Sequence, residues 1–124
     1  MIDETTWHRN PDEQTCFVWS ATSDGIRLHH STETPSYLIR WPVFYDVFQY
    51  ARNLALNNNG VVTAGISQNM PPPGSVGEWV LTQNLAIENG NLTPRHLSFI
   101  GPILGHMGFI TRGLNGNAIQ WVFK

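Results

Sequence analysis

The chain has 124 residues, a net charge of −2, and 13% charged against 41% hydrophobic residues. That length is one domain with room for a core, and five Trp, three Tyr and six Phe exclude a disordered chain. Seven Lys plus Arg exclude a strong nonspecific polyanion binder, whose affinity scales with the phosphates it neutralises.

The charge is uneven. Residues 1–58 hold seven acids against four Arg, whereas residues 59–124 hold Glu78 and Glu88 against Arg95, Arg112 and Lys124. Cys16 is the single cysteine, so no internal disulfide forms. The opening MIDETTWHRN is too acidic and polar for a signal peptide. No apolar run approaches the roughly 20 residues that span a bilayer. The expectation is a cytoplasmic protein with no membrane partner.

In chain order, residues 1–14 read as an irregular lead-in. Residues 16–30 read as two strands around Ser23-Asp24-Gly25, where Gly and Asp tolerate the turn conformation. After a loop at 31–36, Tyr37 to Trp41 read as a third strand, giving an antiparallel meander. Pro42 opens a helix whose apolar residues Phe44, Val47, Phe48, Ala51, Leu54 and Ala55 recur at steps of three and four. Asn57-Asn58-Asn59-Gly60 ends it. Residues 61–66 are a brief β-branched strand, and Pro71-Pro72-Pro73 a stiff connector. Ser75 with Glu78 is a capping box for a second helix expected to run to Asn89-Gly90. Thr93 caps a third helix with Pro94 in first position. Its seam is Leu97, Ile100, Leu104 and Met107, and Pro102 is expected to kink or split it. Asn115-Gly116 then marks a hairpin, with Ile119, Trp121 and Phe123 on the buried face of its last strand.

Two stretches carry a likeness. One is the turn Glu88-Asn89-Gly90-Asn91-Leu92-Thr93 between two helices. The other is Met107-Gly108-Phe109-Ile110-Thr111-Arg112 running into the Asn-Gly hairpin. In this order, residues 42–124 resemble a winged helix-turn-helix domain, at the level of fold and of no particular family. The expected class is α+β: one domain, 1–124, in which a meander (1–41) precedes a three-helix winged-helix body (42–124) with a C-terminal β-hairpin wing.

The resemblance implies that the third helix is a recognition helix. Arg95 would then pair with a guanine, and Thr93, His96 and Ser98 would reach phosphate or base edges. Arg112 and Asn115, at the base and tip of the wing, would meet the DNA backbone or minor groove. Against this, Thr93 and Pro94 serve as cap and first residue with or without DNA. The implied function is double-stranded DNA binding, as a homodimer and in a regulatory role. The alternative is a protein-interaction module with the same body.

Other chemistry has less behind it. His29 and His30 are adjacent on a strand and point to opposite faces. His96 and His106 are ten positions apart, about 15 Å along a helix. No Cys-x-x-Cys or His-Glu-x-x-His is present, so no metal site is expected. Residues 74–79, GSVGEW, lack the lysine of a phosphate loop. Cys16 reads as a buried small residue. The acids form no pair, and neither an enzyme nor a cofactor is expected. Trp41, Trp121 and Trp79 (the last with Val76 and Val80) read as core. Trp7, in a polar stretch, reads as a partner or dimer contact.

Overall fold

The structure is a computed structural model of the chain. It describes residues 3–10, 13–29, 37–67, 69–88, 90–116 and 118–124, with side chains from Trp19 onward except at 29 and 37. The readings of Trp7, Cys16, His29 and His30 concern side chains outside the described ones.

The class is α+β, with an N-terminal meander and a C-terminal hairpin. Strands β1 (Asp3–Asn10), β2 (Glu13–Ala21), β3 (Gly25–His29) and β4 (Tyr37–Arg40) form an antiparallel sheet in sequence order. The lead-in is thus a strand. Polar residues hid it, because its partner β2 supplies the ladder that its own sequence does not announce. At the β2–β3 turn, the Thr22 hydroxyl accepts from the amides of Asp24 and Gly25. The Trp41 indole N–H donates to the Thr22 carbonyl at 2.9 Å and locks the turn to the first helix.

Helix α1 (Trp41–Leu56) buries Phe44, Val47, Ala51 and Ala55, four of the six residues of the predicted stripe, with Phe48 and Leu54 half-buried beside them. Gly60, at φ 83°, returns its amide to the Ala55 carbonyl at 2.7 Å. Such a positive φ is open to glycine at little cost. Strand β5 (Val61–Thr63) follows.

Helix α2 (Val76–Gln83) starts on Ser75, whose hydroxyl accepts from the Glu78 amide. Glu78 Oε1 reaches back to the amide of Gly74, one residue before the cap. Trp79 is half-buried and stacks on Tyr50 of α1, 4.2 Å between centroids. The helix ends earlier than expected. Asn84 adopts φ 51°, ψ 44°, a left-handed stop that Asn accepts more readily than most residues. The chain then forms a short antiparallel pair, β6 (Ala86–Ile87) and β7 (Gly90–Asn91), where helix was expected up to residue 88. Ile87 and Leu92 are buried by this arrangement; burial of both outweighs the extra helical turn.

A 3-10 turn, Pro94–His96, leads into helix α3 (Leu97–His106). Seven of its ten residues are buried. It runs through Pro102 as one helix rather than splitting. Pro102 has no N–H for the Ser98 carbonyl, so that rung of the ladder is absent; packing on both sides of the proline holds the element together. Strands β8 (Ile110–Asn115) and β9 (Ala118–Phe123) close the fold, and β5 pairs with β9 in a sheet of order β5-β9-β8. Asn115 pairs with Ala118 and so belongs to the strand rather than to the turn.

One core joins the meander, the helices and the C-terminal sheet. Trp19, Ile26, Leu28 and Ile39 of the meander lie in the same buried cluster as Val47, Val62, Leu104 and Trp121. Among the described residues no helix is long and apolar enough to cross a membrane.

Candidate nucleic-acid interface

The turn 93–98 is built by its own side chains. Thr93 is extended, φ −121° and ψ 163°. Its amide donates to His96 Nδ1 at 2.9 Å, and its hydroxyl lies 3.1 Å from the same nitrogen. Nδ1 is therefore an acceptor, and the ring proton belongs on Nε2. Burial holds the His96 pKa below its ordinary 6.5, and the neighbouring Arg95 charge adds to this against the Thr93 contact. His96 at neutral pH is an uncharged cap, not a cation aimed outward. Ser98 is also turned inward: it is 6% exposed, and its hydroxyl donates to the Arg95 carbonyl at 2.7 Å.

Arg95 alone of these four residues is exposed. Further along α3, His106 is exposed and Pro102 and Gly105 half-exposed, so the open stripe of the helix holds little hydrogen-bonding chemistry. The His106 ring meets the Trp19 indole edge-on at 5.4 Å, which ties the end of α3 to the meander.

The hairpin places the other two candidates apart. Arg112 pairs directly with Trp121 across the β8–β9 ladder, so both occupy the same sheet face. That face, bearing Ile119 and Trp121, looks toward α3. Arg112 thus overhangs a groove between helix and sheet rather than standing at the outer base of a wing. Asn115 is exposed at the end of β8 and does not line this groove. The groove brings Arg112 and Ser98 to one cavity and leaves Arg95 and Asn115 on its outside.

The groove has a volume of about 260 Å3. Its floor on α3 is made of small residues, Ser98, Gly101, Pro102 and Gly105; Ile66, Ile119 and Trp121 oppose them, and Arg112 and Lys124 stand at its edge. Trp121 is 2% exposed. Its indole N–H finds no acceptor among the described residues, whereas buried Trp N–H groups usually have one. Sequence reading missed Lys124, Trp121 and Gly101 as site residues. The spacing of Gly101 and Gly105, four apart on a helix, was the available signal.

Among the described residues no three His, Cys, Asp or Glu side chains gather as a metal-binding group. Of the two acids in the second half, Glu78 is engaged at the start of α2. Glu88 accepts two bonds from Arg27, Nη1 to Oε1 at 2.8 Å and Nη2 to Oε2 at 3.4 Å. A comparison of the chain with protein-family models, curated proteins and solved structures finds no match.

Proposed function

We propose that the protein is a cytoplasmic DNA-binding module that uses α3 and the β8–β9 hairpin as a winged helix does. The observation that carries this reading is one of charge. Residues 89–124 contain Arg95, Arg112 and Lys124 and no acid. All three cations are exposed, and none forms an ion pair among the described residues. A segment whose charged side chains are all of one sign attracts a polyanion. The element order from α1 to β9 and the sheet order β5-β9-β8 support the winged-helix comparison. The ten residues between α2 and the 3-10 turn (84–93) make a longer connection than a tight helix-turn-helix has. Three cations per copy give weak binding, so a homodimer on two half-sites, in a regulatory role, fits the charge better than a monomer.

The test is a salt titration of the full chain against random and genomic duplexes. Binding is expected at low salt with a log–log slope of up to about 3 per copy. Arg95→Ala should weaken it and lower the slope by about 1. Absence of binding by folded wild type at low salt overturns the reading.

A second reading is supported by exposed Phe109 (47%) and Leu114 (50%) flanking or on the same hairpin. Apolar side chains there suit a protein partner better than phosphate. Saturable association with a protein and none with DNA would select it.

A further inference from the structure

We propose that the groove between α3 and the β8–β9 hairpin is a binding site for a small apolar carboxylate. Three observations converge on that class of ligand. First, the walls are apolar and the floor is stripped of side chains. At Gly101 the helix already touches the Trp121 indole, a Cβ there lying 2.7 Å from Nε1, and the free space lies beside that contact, over Ser98, Pro102 and Gly105. An empty cavity of about 150 Å3 accepts benzene; the groove, at about 260 Å3, takes an apolar body of roughly ten heavy atoms on the same scale.

Second, Trp121 lines the groove opposite α3, and its buried indole N–H, set against Gly101, has no acceptor among the described residues. A ligand oxygen supplies what the protein does not. Third, the charge around that donor is of one sign. Arg112 is the cross-strand partner of Trp121, Lys124 lines the same edge, and no Asp or Glu lines the groove. A carboxylate accepts from the indole and the guanidinium together, while its apolar body covers Ile66, Ile119 and the glycines. A neutral amphiphile leaves the cations unused. A small inorganic anion leaves the apolar walls wet.

The test uses the folded full chain with octanoate, octan-1-ol and acetate. Affinities come from calorimetry, and the site from the indole N–H resonances in a ¹H–¹⁵N spectrum, with Trp121→Phe identifying the Trp121 signal. The expected result is saturable octanoate binding that shifts the Trp121 signal, about tenfold tighter than octan-1-ol or acetate, as one charge-assisted contact allows. Arg112→Gln should weaken octanoate by about tenfold and leave octan-1-ol nearly unchanged, whereas Trp121→Phe, which removes a donor open to either ligand's oxygen, should weaken both. Arg112 is exposed, so Arg112→Gln keeps the test open should Trp121→Phe fail to fold. Equal binding of octanoate and octan-1-ol overturns the proposal. So do an unmoved Trp121 signal at saturation, wild-type affinity in folded Arg112→Gln, or no binding at all.

Discussion

Gly101 of α3 lies against the indole of Trp121: a methyl group built at position 101 would be 2.7 Å from Nε1, 3.1 Å from Cε2 and 3.3 Å from Cζ2. Two effects of Gly101→Ala oppose each other. Alanine favours helix over glycine by up to about 1 kcal/mol. Overpacking costs about 1–3 kcal/mol, and the ring that the new methyl meets is Trp121, 2% exposed and part of the core cluster. The clash wins. Gly101→Ala is expected to lower stability by about 1–2 kcal/mol and the melting temperature by about 5 °C. An unchanged or raised melting temperature would show the ring to be freer than the packing implies.

The Thr93–His96 cap gives stability a pH dependence of defined sign. The folded His96 pKa lies below the ordinary 6.5, chiefly because the ring is desolvated. Below pH 6.5 the unfolded chain therefore binds more protons at this site. The cap's contribution is full above 6.5 and is lost as pH falls through the folded pKa. His96→Gln keeps an acceptor for the Thr93 amide, as in other capping boxes, and does not titrate. Urea midpoints of the two proteins, compared between neutral pH and about pH 5, should converge or cross in the variant's favour as acid is added. Parallel curves would remove His96 as the titrating cap.

Arg95 and Ser98 should separate function from structure. Ser98→Ala removes a buried hydroxyl that donates to the Arg95 carbonyl, at a cost of about 1 kcal/mol, and should leave DNA affinity unaltered once the protein is folded. Arg95→Ala touches an exposed side chain and should stay within about 0.5 kcal/mol of wild type in stability while losing DNA affinity. Chemical denaturation and anisotropy on both variants check the split. Equal DNA loss in folded Ser98→Ala would mean that its hydroxyl leaves its internal bond to meet the nucleic acid.

The ion pair between Arg27 and Glu88 crosses from the meander to the β6–β7 turn. The Arg27 hydrogen bond and charge, aided by Arg40, hold the Glu88 carboxyl below its ordinary 4.5. Its contribution is thus present above pH 4.5 and lost as pH falls through the lowered folded pKa. Both side chains remain about one-third exposed, so solvent keeps the contribution small. Glu88→Gln should lower the melting temperature slightly at neutral pH and not at all once the wild-type carboxyl is protonated. A penalty that persists in acid would point to packing rather than charge.

Much of this fold was legible because each element announced itself locally. The stripe Phe44, Val47, Ala51, Ala55 set α1, Ser75 with Glu78 set the start of α2, and the alternation through Trp121 set β9. What escaped reading depends on partners distant in sequence. The strand Asp3–Asn10 exists through β2. Helix α2 stops at Asn84 because Ile87 and Leu92 are buried elsewhere, and Leu81, Leu85 and Ile87, with Thr82, Gln83 and Asn84 between them, do not distinguish the two outcomes. Of the candidate site, Arg95 is exposed, as a contact residue must be. His96 and Ser98 turned inward because a cap's own hydrogen bonds are satisfied at home, and the place of Arg112 followed from its register with Trp121.

The shared core also bears on modularity. The cluster that contains Trp121 and Leu104 also contains Trp19, Ile26 and Ile39, and the Glu88 amide donates to the Leu38 carbonyl of β4 at 3.1 Å. The helical body is therefore no portable cassette. Excised at the boundary near Pro42, it would bare an oily flank and sever a main-chain clasp. Grafts, tags and minimal fragments of this protein must keep the first sheet.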